Sequence, residues 1–187
     1  MWVLRHGQTQ WNVDGRMQGH LDSPLTPLGE AQARAQGALL KALHLPENTK
    51  LISSPSGRAV ATAHLVNEGL DLPMSLNNAL MEIDMGHWQG KTLKDIASVR
   101  TDLPHAEDPH LWKFHAPGGE RLTEMHDRLS VFLRGLNSPS VLVTHGVTSR
   151  VLRCIVLNRQ AETLSDLPGG QGVVHQISES RAQVLAG

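Results

Sequence analysis

Two short stretches of the 187-residue sequence end in His-Gly: LRHG at residues 4–7 and LVTHG at 142–146. An imidazole can be core packing, a metal ligand, a proton donor or acceptor, or a nucleophile. With 11 histidines in the chain, one His alone decides nothing. Gly7 and Gly146 add weight, because glycine lets the backbone come close to a ligand. Neither His6 nor His145 has a second His, Asp or Glu at the i+2 to i+5 spacing of zinc sites. Arg5 beside His6 would also repel a divalent cation, so neither a metal nor another cofactor is expected. A cation there suits an anionic substrate instead. Arg5 and Arg58 both fall at element ends, and a planar fork of donors matches phosphate oxygens. Backbone N–H groups opening the helix after Arg58 would join them. Each arginine taken singly reads more readily as a solvated surface group.

Elements that bring these residues together are legible in outline. MWVL (1–4) reads as a buried strand, clipped at the first residue, whose end delivers Arg5, His6 and Gly7. In the next helix Thr26 is the N-cap and Pro27 the first position, with Leu28, Ala31, Ala35, Leu39 and Leu43 as its apolar face. KLISS (50–54) is a second strand, followed by a helix opening near Pro55 and Ser56 and ending at Gly69. Residues 73–82 read as extended. A polar stretch from Ile83 to Gly119 carries a short helix around Leu93–Val99, and residues 120–136 form an amphipathic helix. SVLVTHG (140–146) is a buried strand leading into VTSRVLRCIVLN, a helix. GVVHQISESRAQVLA closes as a hairpin with its turn near Glu179.

Strands alternating with helices imply an α/β layer architecture around a mostly parallel sheet, as one domain spanning 1–187. Ligands of such sheets bind at the carboxyl ends of the strands, where both His-Gly pairs fall. Seventeen basic against eighteen acidic residues give a net charge of −1. That balance gives no footprint for nucleic acid or an anionic membrane. No run approaches the ~20 apolar residues of a spanning helix. Arg5 and His6 interrupt the first apolar stretch, so no signal peptide is expected and the cytoplasm is the expected location. Cys154, the single cysteine, sits in the apolar run VLRCIVL and reads as a small buried hydrophobe.

Five blocks in order then resemble the histidine phosphatase superfamily, also called the phosphoglycerate-mutase-like family. LRHGQTQWN is similar to its R-H-G-x-[TS]-x-x-N signature, and RMQGHLDSPLTPLGEAQA to the continuation of that signature. SSPSGRAVATA, LMEIDMGHWQGKT and VTHGVTSRVL resemble its later blocks. The matches run from residue 2 to about 155. This resemblance implies a three-layer α/β/α sandwich around a mixed sheet. It makes His6 the nucleophile, taking the phosphoryl group on a ring nitrogen. Arg5, Arg58 and His145 would bind the phosphoryl oxygens, assisted by Asn12 and the backbone at Gly146. Gly7 and Thr9 belong to the same signature as substrate-binding positions, and Gln18 and Gly19 align with a loop at the pocket mouth. Glu82 would protonate the leaving alcohol and then serve as base for water. A pKa raised by partial burial beside Trp88 would suit that task.

Mutases of the family carry a longer insert after the Glu block, with K-Y-G and W-R-R segments, and neither occurs here. The stretch instead looks like a phosphatase-type W…P-G-G-E arrangement, forming a lid-like insertion at about 83–119 with its centre at 98–118. Arg121 departs from the serine such relatives carry before the next helix. The resulting expectation is a metal-independent phosphomonoester phosphatase acting on a small phosphorylated metabolite. A phosphoglycerate-type mutase is the alternative, and a catalytically silent binding protein a third.

Overall fold

Alternation along the central strands sets the layering. The computed structural model describes residues 1–99, 108–178 and 181–186. In β1 (Trp2–Arg5), Trp2 and Leu4 face one side of the sheet, where Ala33 and Leu40 of α2 (Pro27–Ala42) pack with Ala59, Ala63 and Val66 of α3 (Gly57–Asn67). Val3 faces the other side, with Met125 and Leu129 of α5 (Leu122–Arg134) and Val151 and Leu152 of α6 (Gly146–Val156). Val141, Leu142 and Val143 of β4 (Ser140–Thr144) divide between the two cores in the same way. Two helical layers therefore enclose one sheet, as the sequence implies.

The sheet runs β3-β2-β4-β1-β5-β6. β2 (Lys50–Ser53), β3 (Met74–Leu76), β4 and β1 are parallel, while β5 (Val174–Ser178) and β6 (Arg181–Leu185) run antiparallel at one edge. Arg5 is in register with Thr144, so His6 and His145 leave two adjacent parallel strands side by side. The His6 N–H donates to the Thr144 carbonyl at 2.9 Å, fixing that register one residue further. The expected hairpin is present as β5 and β6; its turn near Glu179 lies outside the described residues.

Two local expectations are corrected. α2 is capped by Thr26 with Pro27 first, as expected, but its buried stripe is Gly29, Ala33, Gln36, Gly37 and Leu40. Leu28, Ala31, Ala35 and Leu43 are exposed and Leu39 is half-buried. The physical reason is close approach. A Cβ on Gly29 would collide with the Gln8 backbone, and one on Gly37 with the Val66 carbonyl. Small residues, rather than large apolar ones, mark the inner face. Residues 73–82 are extended only over Met74–Leu76, because the Asn77 side chain caps a 3-10 turn at Asn78–Leu80.

α4 (Leu93–Val99) forms where expected. Within the insertion at 83–119, Ile83, Met85, Trp88, Ile96, Trp112, Phe114 and Ala116 are buried in the α5/α6 core. Trp88 and Trp112 pack with ring centroids 5.6 Å apart. Residues 100–107 of the 98–118 segment, including His105, lie outside the described residues. Arg121, where serine was expected, leaves α5 without a side-chain cap of its own; its N–H is taken by the Glu124 carboxylate at 2.8 Å. Cys154 is buried, and burial raises its thiol pKa, as suits an inert core residue.

Candidate active site

A cavity of about 260 Å³ opens at the carboxyl ends of β1, β2 and β4. Arg5, His6, Asn12, Gln18, Gly19, Arg58 and Glu82 all line it, so seven of the expected site residues meet. His145 stands directly behind His6, its ring edge-on with centroids 5.2 Å apart. Gly7, Thr9 and Gly146 do not line the cavity. The Gly7 N–H donates to Thr62 Oγ1 at 3.1 Å, and a Cβ there would strike the Gly29 backbone. The contact with α2 by itself requires glycine at position 7. Thr9 caps α1 (Gln10–Val13), accepting from the Asn12 N–H at 3.2 Å. Gly146 opens α6 beside the Arg5 guanidinium, where a Cβ would find ordinary contact at 3.5 Å.

His6 is held in one protonation state. Its Nδ1 lies 2.7 Å from the Gly7 carbonyl oxygen, which can only accept, so Nδ1 carries the proton and Nε2 keeps its lone pair. Burial first, then His145, Arg5 and Arg58, hold its pKa well below the ordinary imidazole value. His145 is lowered too, by burial and then by Arg58 and Arg5; its Nε2 meets Ser54 Oγ at 2.8 Å. Both rings are therefore neutral across the physiological range.

Arg58, fully buried, is braced by the loop before α2. Its guanidinium donates to the carbonyls of Leu21 and Gly19 at 2.7 and 2.8 Å and to Asp22 Oδ1 at 3.0 Å. Six buried side-chain polar atoms lack a partner among the described residues. Four of them, Arg5 Nε, Gln18 Oε1, Arg58 Nε and His145 Nδ1, belong to this cluster. Buried polar groups are normally satisfied, so such a concentration marks a place built to receive a polar ligand.

Glu82 departs from expectation. Burial raises its pKa, but the N–H groups of Thr148, Val147 and Ile83 and the Lys113 ammonium together outweigh burial and hold it below the ordinary carboxylate value. Its oxygens accept from the Val147 and Thr148 amides of the α6 N-terminus at 3.2 and 3.1 Å and from Thr148 Oγ1 at 2.9 Å. A carboxylate at a helix N-terminus favours the charged form. Trp88 lies in the core instead of raising this acid.

Several site residues escaped the sequence. Lys113, from the 3-10 turn Leu111–His115, lines the cavity; burial lowers its pKa to about 8, against the pull of Glu82. Trp11, Met17, Ile83, Met85 and Val147 form apolar walls, and Arg16 stands among them. One lysine inside an aromatic stretch was the available signal for Lys113; nothing in the pattern marked the walls. No group of three His, Cys, Asp or Glu side chains converges among the described residues.

The histidine phosphatase superfamily (branch 1) model matches residues 1–184, and the chain belongs to that superfamily. A curated relative from Salmonella choleraesuis, named probable phosphoglycerate mutase GpmB, is 31% identical over 83% of this chain and 72% of its own length. Among solved structures, a mycobacterial glucosyl-3-phosphoglycerate phosphatase in complex with VO3 superposes with a TM-score of 0.80. It is 32% identical, covering 100% of this chain and 98% of that one. The alpha-ribazole phosphatase of Shigella flexneri gives a TM-score of 0.79 at 27% identity, covering 99% and 94%. No helix among the described residues is long and apolar enough to cross a membrane.

Proposed function

We propose that the chain hydrolyses a small phosphomonoester without a metal ion, through a phosphohistidine on His6. The observation that carries this reading is the state of His6: neutral, buried at the end of β1, proton fixed on Nδ1, within the cluster of Arg5, Arg58 and His145. Nε2 attacks phosphorus, the phosphorus–oxygen ester bond breaks, and its electron pair goes to the leaving oxygen. Arg5, Arg58, Asn12 and His145 are the groups at hand to hold the remaining phosphoryl oxygens. Such transfer depends mainly on positioning and charge, which guanidinium groups supply without a Lewis acid.

Glu82 gives its proton to the leaving oxygen, then takes one from the water that attacks the phosphohistidine and frees Nε2. Because Glu82 rests ionised, that proton arrives with the substrate. A phosphomonoester has a second pKa near ~6, and its negative charge in the cavity raises the carboxyl pKa. The apolar walls suit an organic ester group, and the solved phosphatases above support hydrolysis.

The test is chemical. Wild-type enzyme denatured in alkaline detergent after incubation with phosphorus-labelled phosphoester carries label that survives base and is lost in acid, and His6→Ala carries none while remaining folded. Label on serine, aspartate or cysteine overturns the reading. Dialysis against a strong chelator leaves the rate unchanged; a loss restored by zinc or magnesium removes the metal-independent mechanism. The name of the 31%-identical relative favours a second reading, a phosphoglycerate mutase. Turnover of phosphoglycerate that depends on a bisphosphoglycerate primer would select it.

A further inference from the structure

The phosphate end of the cavity contains one carboxamide, Asn12, whose use depends on which way its amide faces. Its Oδ1 accepts twice, from the Thr9 N–H at 3.1 Å and from Gln171 Nε2 at 2.9 Å. The first donor is a backbone amide, so the oxygen must face it; flipping Asn12 would set N–H against N–H. With both oxygen lone pairs occupied, Asn12 has only its Nδ2 protons left to offer. Nδ2 has no hydrogen bond among the described residues, and the side chain lines the cavity.

Gln171 sits far away in sequence, on the loop between α6 and β5. Two arginines of α6 anchor that loop. Arg150 Nε donates to the Leu167 carbonyl at 3.3 Å, and Arg153, fully buried, donates to the Pro168 carbonyl at 2.7 Å. A Cβ at Gly169 would collide with the Arg150 guanidinium. Beyond the loop, Gln36 Nε2 donates to the carbonyls of Val173 and Arg5 at 2.8 and 3.2 Å, tying the start of β5 to the end of β1. Gln171 also reaches the His6 carbonyl, at 3.4 Å. These bonds use backbone, not a carboxylate, to fix one glutamine against the site.

We propose that Gln171 is a positioning residue: its amide locks the Asn12 carboxamide as a donor toward a bound phosphoryl group. The inference rests on the phosphate-binding reading of this cavity, not on its turnover. Glutamate at 171 keeps the shape but can only accept, so it repels the Asn12 oxygen and turns the amide away from its donor orientation. Alanine removes one restraint and leaves the Thr9 bond in place.

Binding of orthovanadate and of inorganic phosphate, measured by calorimetry, reads the effect whether or not the enzyme turns over. Gln171→Glu should weaken both roughly 10-fold, the loss of a hydrogen bond to a charged group. Gln171→Ala should weaken them less, with unchanged thermal midpoints for both variants. In an Asn12→Ala background, Gln171→Ala should add nothing, since the group it orients is gone, while Gln171→Glu keeps only the repulsion between its new charge and the anion. Additive losses in the Gln171→Ala cycle, or equal losses for Ala and Glu, overturn the proposal, because a merely structural loop would produce them. If Gln171→Glu does not fold, Gln171→Ala and its cycle with Asn12→Ala carry the same test. Absence of vanadate and phosphate binding in the wild type would instead overturn the phosphate-site reading itself.

Discussion

Glu82 shows how a residue's role and its resting charge can oppose each other. In the proposed mechanism Glu82 protonates an alkoxide, yet three backbone amides and Lys113 hold it ionised, an arrangement that favours the second task proposed for it, as base. The expected pH dependence follows. Because the Glu82 pKa is depressed and His6 is already neutral, kcat/KM for an alkyl phosphate should rise as pH falls from neutrality, with no loss assignable to His6 at the ordinary imidazole pKa. Glu82→Gln should slow alkyl phosphate hydrolysis by roughly 10²–10⁴-fold. p-Nitrophenolate leaves without a proton, so its burst on rapid mixing should be nearly preserved. Equal slowing of both bursts would make Glu82 a positioning group.

Among the elements, α2 governs the site without contributing a reacting group. Gly7 and Gly29 touch backbone to backbone, so the turn carrying His6 rests directly on the helix. Gly29→Ala should cost about 3 kcal/mol, at the upper end of overpacking, lowering Tm by roughly 5–10 °C. Ala38→Ser, on the exposed face, should stay within about 0.5 kcal/mol; a thermal melt of both separates contact from helix propensity. The 3-10 turn Leu111–His115 acts differently, burying Trp112 and Phe114 so that Lys113 reaches the cavity. Lys113 is one of the charges lowering Glu82. Lys113→Met should therefore move the alkaline limb of the alkyl phosphate profile to higher pH, a shift absent in the Glu82→Gln background.

At the scale of the molecule, neutral buried histidines tie stability to pH. His175 is lowered by burial and by Arg153 to about 4, and His6 and His145 are lowered well below 6.5. Between the unfolded value of 6.5 and the folded one, the unfolded chain binds protons that the native state does not. Stability is therefore fully present above pH 6.5 and lost as pH falls toward 4, by about 1.4 kcal/mol per pH unit for each such histidine. Urea midpoints should drop steadily across that window. His175→Gln should flatten the decline, and an unchanged slope would show that His175 is not among its causes.

Local patterns in the chain sufficed for the alternation of strands and helices and for the two His-Gly strand ends. The meeting of Arg5, His6, Asn12, Arg58 and Glu82 was legible only through the ordered motifs that resemble the superfamily. The sequence did not determine which face of α2 is buried. That choice depends on how closely Gly29 and Gly37 let the helix approach its neighbours, and hydrophobicity gives glycine no direction. Nor did it determine the charge of Glu82, since two of the three amides that hold it, those of Val147 and Thr148, belong to a helix 65 residues further along the chain. Lys113 and Gln171 entered the site for the same reason. Their neighbours there are distant in sequence, and only the docking of the 3-10 turn and of the loop before β5 brings their charge and donors to the ends of the parallel strands.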